Sequence, residues 1–182
     1  INLIIALGLS SCAISYLPVE SKVVSVNEDF AIINNQQFSL AVKATYWSKE
    51  PDLLANYYSV FYISIKNLSD KKFNIDSNQF SLLDENRNQL DVILKENMIE
   101  MLEYEMDDFN DMFIPPEERK TNLEKRLSGR RNIDKFVFNF GDIMPNATKS
   151  GYLLFQELDS KNEKCSFIYK DYEIVFKKEK RK

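Results

Sequence analysis

The densest run of chemically active side chains in this chain is acidic. Glu96, Glu100, Glu103, Glu105, Asp107, Asp108 and Asp111 place seven carboxylates within sixteen residues, with no Lys or Arg among them. The 182 residues contain no histidine, which removes the commonest general base, the commonest metal ligand and every Ser-His or Cys-His nucleophile pair. Catalysis would have to rest on carboxylates, lysines or tyrosines. Asp107, Asp108 and Asp111 carry the oxygens that a hard cation takes, but the stretch lacks the Asp-x-Asp-x-Asp-Gly loop with a distal Glu. Paired acids also raise glycosidase chemistry, yet acids this dense on one helix meet the spacing by accident, and nothing in the sequence marks a sugar cleft. We therefore expect no catalytic residue, no metal site and no cofactor.

The same region carries an apolar pattern. Met98, Met101, Leu102 and Phe109 recur at helical spacing, and Pro115-Pro116 separates them from a second segment opened by Glu117-Glu118 and ending near Gly129. Residues 117–131 hold six cations against three acids, so two antiparallel helices of opposite charge are expected to attract each other weakly, at ~0–1 kcal/mol per exposed pair. Met98, Met101, Glu105, Asp108 and Phe109 form the candidate partner surface, since methionine-rich ridges adapt to varied partners. The competing and favoured assignment of the methionines and Phe109 is that they pack the helical hairpin onto the rest of the fold.

A different chemistry belongs to Cys12. The chain opens Ile1-Asn2-Leu3-Ile4-Ile5-Ala6-Leu7-Gly8-Leu9-Ser10-Ser11-Cys12, with no Met and no charge before Glu20. About nine apolar residues are too few for a mature membrane span, which needs ~20, but they have the length of a signal-peptide apolar region. The basic segment that should precede them is missing, so the start is expected to be truncated. Leu9-Ser10-Ser11-Cys12 resembles the bacterial lipobox. That resemblance implies acylation of the Cys12 thiol and cleavage just before it, giving an anchor that needs no transmembrane helix. Ala13, rather than Asp, follows, which favours the outer membrane or cell surface. Cys165 then has no disulfide partner, and its strand-like context, Cys165-Ser166-Phe167-Ile168-Tyr169, predicts a packed hydrophobe.

The elements that position these residues read mostly with period two. A hydrophobic fraction of 44% and an aromatic fraction of 13% are those of a globular, strand-rich chain. After a tether over 12–21, strands are predicted over 38–47, 57–66, 79–83, 90–94, 135–140, 150–158, 165–169 and 172–176. A helical hairpin over 95–130 interrupts them. The fold class is mainly β, an antiparallel β-sandwich spanning 22–177, followed by a basic tail at 178–182 that reads as a solvated end.

Three segments carry a family resemblance. Ser59-Val60-Phe61-Tyr62-Ile63-Ser64-Ile65-Lys66-Asn67-Leu68-Ser69-Asp70, Phe80-Ser81-Leu82-Leu83-Asp84-Glu85-Asn86 and Lys149-Ser150-Gly151-Tyr152-Leu153-Leu154-Phe155 are similar to strand and turn motifs of bacterial immunoglobulin-like (telokin-like) envelope domains. The resemblance covers about residues 36–176 apart from the helical stretch, which departs from the family in length and charge. It implies an exported, often lipid-anchored protein and brings no catalytic residues. The first functional expectation is a lipid-anchored module that binds or scaffolds other envelope components, with a protein partner, the membrane as its anchor, and no nucleic acid. A small-ligand or cation carrier comes second and a carboxylate-dependent envelope hydrolase third.

Overall fold

The computed structural model describes residues 15–107 and 115–179. Its strands are β1 (Tyr16–Pro18), β2 (Ser25–Asn27), β3 (Phe30–Asn34), β4 (Phe38–Thr45), β5 (Tyr58–Asn67), β6 (Phe73–Ile75), β7 (Phe80–Leu83), β8 (Gln89–Asp91), β9 (Gly141–Ile143), β10 (Thr148–Gln156), β11 (Lys164–Tyr169) and β12 (Tyr172–Lys178). Three helices accompany them: α1 (Leu53–Tyr57), α2 (Lys95–Asp107) and α3 (Pro116–Phe136). One sheet has the order β1-β12-β11-β7-β8, a second β10-β5-β4-β3-β2, and β6 pairs with β9 as a ribbon. Every one of these strand pairs is antiparallel. None of the described helices is long and apolar enough to cross a membrane.

The two large sheets bury their inner faces against each other. Ile33, Leu40, Val42, Phe61, Ile63, Ile65, Leu153 and Phe155 from one meet Phe80, Leu82, Cys165, Phe167, Ile174 and Phe176 from the other in a single cluster. The alternation that makes this possible is plain in β5, where Phe61, Ile63 and Ile65 point inward. Phe61 is its aromatic hub, with ring centroids 5.3 Å from both Phe167 and Phe176 and 5.9 Å from Phe155. Such tilted and edge-on contacts add to what area burial alone supplies.

A second cluster lies on the opposite face of β5 and β10. Val60 and Leu154 there meet Trp47, Leu54, Met98, Leu102, Ile133 and Val137. The β5–β10 pair is thus apolar on both sides, and the helices cover the outer one. Gly129 lets α3 approach closely: a Cβ at this position would lie 3.1 Å from Pro51 Cδ and 3.3 Å from Leu102 Cδ2. Lys95, at the start of α2, donates to the Asp134 carbonyl (2.8 Å) and to Asn139 Oδ1 (2.6 Å), tying that end to the end of α3.

The outer edge of β10 is closed by two passing segments. Ile93 N–H donates to the Leu154 carbonyl at 2.8 Å, and Phe138 N–H donates to the Tyr152 carbonyl at 2.9 Å. Covering an exposed strand edge in this way removes a template for intermolecular pairing. Gly151 makes the closure possible, because a Cβ there would stand 2.8 Å from the Phe138 backbone and 2.9 Å from the Phe136 carbonyl oxygen.

Several expectations are corrected. The strand predicted over 135–140 does not form: Lys135 and Phe136 complete α3, Val137 makes an isolated parallel bridge to Tyr152, and Phe138 turns into the sandwich core. The alternating Phe136-Val137-Phe138 pattern marks burial between two clusters rather than a strand. The second helix does not end near Gly129, because this glycine is a packing position and Ile133 continues the buried face beyond it. The segment expected as tether contains a paired strand, β1, whose Tyr16 hydroxyl donates to the Asn162 carbonyl at 2.8 Å. Of residues 90–94, only the first two belong to β8, and Val92 bridges to Phe155 in the other sheet.

Two outcomes follow from the packing. Gly151→Ala drives a methyl into backbone that cannot step aside, and overpacking of this kind costs about 1–3 kcal/mol. For a chain of this size that lowers Tm by roughly 2–12 °C in a thermal melt. Cys165 is buried, and burial pushes its thiol up to about 12. Since the thiolate is the reactive form, mass spectrometry of the Cys165 peptide should find no labelling by a thiol reagent at mildly alkaline pH until denaturant is added.

Candidate functional site

The helical layer holds the residues singled out for a partner surface. Met98 is 0% exposed and packs beneath α2, so it is removed from that surface. It serves instead to join the helix to the sheet, as the favoured assignment of the methionines has it. Met101 is half-buried, and its sulfur accepts a hydrogen bond from the Tyr58 hydroxyl at 3.1 Å. Glu105 lies on the backbone of α2. Asp108 and Phe109 lie outside the described residues, as do Asp111 and Cys12.

Exposed apolar side chains on these helices come from other positions. Tyr104 is 72% exposed, Leu123 45% and Leu127 48%. Leu123 and Leu127 stand four residues apart, one helical turn, and so share a face of α3. Beside them a groove of about 300 Å³ runs between the helices, lined by Ile99, Leu102, Glu103, Arg126, Leu127 and Arg130. Glu96, Glu100 and Glu103 are exposed on α2, and Lys120, Lys125, Arg130 and Arg131 on α3. Among the described residues one ion pair crosses between the helices, Arg130 Nη1 to Glu103 Oε1 at 3.4 Å, and both partners are solvent-exposed. Exposed pairs contribute ~0–1 kcal/mol, so apolar contact and the close approach at Gly129 hold the helices together, and most of the charge is left facing outward.

A second concavity opens at one end of the sandwich. It has a volume of about 360 Å³ and is lined by Gln37, Phe38, Ser69, Asp70, Lys71, Lys72, Phe73 and Lys170. Asn67, fully buried at the end of β5, organises it. Its Nδ2 donates to the carbonyls of Lys71 (2.7 Å) and Ile143 (3.0 Å), while Oδ1 accepts from the Ser69 amide (2.9 Å) and hydroxyl (2.8 Å). Leu68 N–H donates to the Gln37 carbonyl at 2.8 Å, binding this turn to the next. There Asn35 Oδ1 accepts from the amides of Gln37 and Phe38, and Asn35 Nδ2 donates to the Tyr172 hydroxyl at 2.9 Å. Three turns far apart in sequence are thereby pinned by side chains.

Lys170 lies in the tight β11–β12 connection, with its Nζ 5.2 Å from the ring centroid of Tyr169, 5.6 Å from Phe73 and 5.8 Å from Phe38. Cation–π contacts at this range orient an ammonium without neutralising it. Lys72 pairs with Asp142 at 2.6 Å, and that hydrogen bond holds the Asp142 carboxyl below its ordinary value and Lys72 above it. The Tyr169 hydroxyl is buried without a hydrogen-bond partner among the described residues, and burial pushes its pKa up to about 12. In sequence, Asn67-Leu68-Ser69-Asp70 is legible only as a turn. A buried Asn ahead of a Ser two residues on, the pattern of an Asx turn, was the available signal for its organising role. The convergence of Lys71 and Lys170 had none, because they are ninety-nine positions apart.

Among the described residues no group of three or more His, Cys, Asp or Glu side chains is placed to hold a metal ion.

No protein-family model matches this chain. No curated protein matches it either. It is similar to a crystal structure of a functionally unknown protein from Listeria monocytogenes EGD-e, at 17% identity, 86% coverage of this chain, 71% of the other and a TM-score of 0.36.

The Asn67 hub yields a direct test. Asn67→Ala takes a donor from the buried Ile143 carbonyl and the acceptor from the Ser69 amide, and an unsatisfied buried group costs about 1–3 kcal/mol. Urea unfolding should show a lower midpoint with an unchanged m-value, the signature of lost stability without altered compactness.

Proposed function

We propose that this protein is an exported, lipid-anchored module of the bacterial cell envelope that binds or scaffolds another envelope protein and is not an enzyme. The observation that carries the reading is the exposed pair Leu123 and Leu127 on one face of α3, beside a groove whose rim carries Glu103 from α2 and Arg126 and Arg130 from α3. An apolar centre with a charged rim is the ordinary anatomy of a protein interface. The absence of histidine from the chain and the lipobox-like Leu9-Ser10-Ser11-Cys12 support the remaining parts.

The sandwich is of the immunoglobulin-like type in this reading. Its support is strand order: β4, β5 and β10 stand in the places of strands A, B and E, and β7, β11 and β12 in those of C, F and G. The chain passes between the sheets after β1, after β5, after β8 and after β10. The two long helices occupy the stretch of chain in which strand D would run.

The test places a photo-crosslinking residue at position 123 or 127 of the full-length protein in its native host. A discrete adduct with an envelope protein is expected, and the adduct formed from position 127 should disappear in the Leu123→Asp variant. Both sites are exposed, so the variant should keep its stability within ~0.5 kcal/mol. Equal adduct yield from a crosslinker on the outer face of β12 would remove the helical strip from the account. The anchor is tested separately, by fatty-acid labelling that Cys12→Ser should abolish.

A further inference from the structure

We propose that the concavity at the turn end of the sandwich is a binding site for a phosphate ester. The molecule carries a net charge of −4, yet this cleft is lined by three lysines and a single acid. Asp142 neutralises Lys72. Lys71 and Lys170 make no ion pair among the described residues. Two lysines without ion pairs thus converge from separate turns on a hollow that also holds Asp70, and the net positive charge left there is relieved by an anion.

The surroundings suit such a group. The Asn67 and Asn35 networks hold the turns in place before any ligand arrives, which lowers the ordering cost of binding. Lys170 is oriented by the rings of Phe38, Phe73 and Tyr169. Gln37 lines the cleft and its side-chain amide makes no hydrogen bond among the described residues, so a donor is available on a residue beside the lysines. The volume of about 360 Å³ is many times the ~30 Å³ that one water occupies. It therefore takes a phosphate together with an organic remainder, against which Phe38 and Phe73 offer apolar walls. The phosphate could be borne by a free small molecule or by a lipid headgroup, and the chemistry of recognition is shared.

The experiment titrates the full chain with inorganic pyrophosphate and with glycerol 3-phosphate by calorimetry at low and at physiological salt. Saturable one-to-one binding that weakens with salt is expected, as an electrostatic contact requires. The Lys71→Gln, Lys170→Asn variant should bind about tenfold or more weakly, a change of ~1.4 kcal/mol. Asn tolerates the left-handed backbone at position 170, where φ is 53°, and Lys71→Gln alone, on an exposed turn, tests the site if the double variant loses its melting transition. Lys125→Gln, Arg131→Gln on α3 should bind as the parent does. Co-sedimentation with phosphatidylglycerol vesicles, competed by pyrophosphate and absent with phosphatidylcholine, would assign the ligand to a lipid surface; soluble binding without co-sedimentation would assign it to a free ester. No saturable binding of either probe, or binding that survives the lysine changes or falls equally with the α3 changes, overturns the proposal.

Discussion

The two-sided burial of the β5–β10 pair is the constraint from which the rest of the architecture follows. Phe61, Ile63, Leu153 and Phe155 fill the space between the sheets, while Val60 and Leu154 present an apolar surface on the other side. A sheet of this kind is stable in water only if something covers its outer face. The chain between β8 and β9 does so, and its flanking segments at Ile93 and Phe138 then close the β10 edge. Gly151 is the point where both demands meet, since the strand and the crossing segment approach more closely there than any side chain permits.

The two ends of the functional account rest on different physics. The helical layer is held by apolar packing beneath it, and among the described residues Glu96, Glu100 and Glu103 on α2 and Lys120, Lys125, Arg130 and Arg131 on α3 face solvent. The turn end is held by directed hydrogen bonds from Asn67 and Asn35; Lys170 is placed there by ring contacts and Lys72 by Asp142.

Legibility in the sequence varied with element length. The long strands β4, β5, β10, β11 and β12 were readable because each runs through several alternations of buried and exposed residues. β1, β2, β6 and β9 are three residues long, too short for period two to be distinguished from chance, and their pairing is set by partners elsewhere in the chain. α2 was readable from its methionine and leucine spacing. The last turns of α3 were not, because Phe136-Val137-Phe138 alternates like a strand while being buried first under the helices and then in the sandwich. Of the candidate surface, Met98 was misplaced for a related reason: periodicity identifies an apolar helix face but does not say whether that face looks at solvent or at a sheet.

By itself, then, the sequence determined the local preferences: an aromatic-rich, mainly β chain, an acidic helix followed by a basic one, a lone cysteine in an apolar strand, and a lipobox-like segment ahead of it all. Those depend on neighbours within a few positions, so they survive without knowledge of the fold. Tertiary structure alone decided which apolar residues stayed exposed, which glycines were steric necessities, and that Lys71 and Lys170 face one hollow. Each of these is a relation between residues tens of positions apart, and such distances are set by how sheets stack and turns are pinned, which no local pattern encodes.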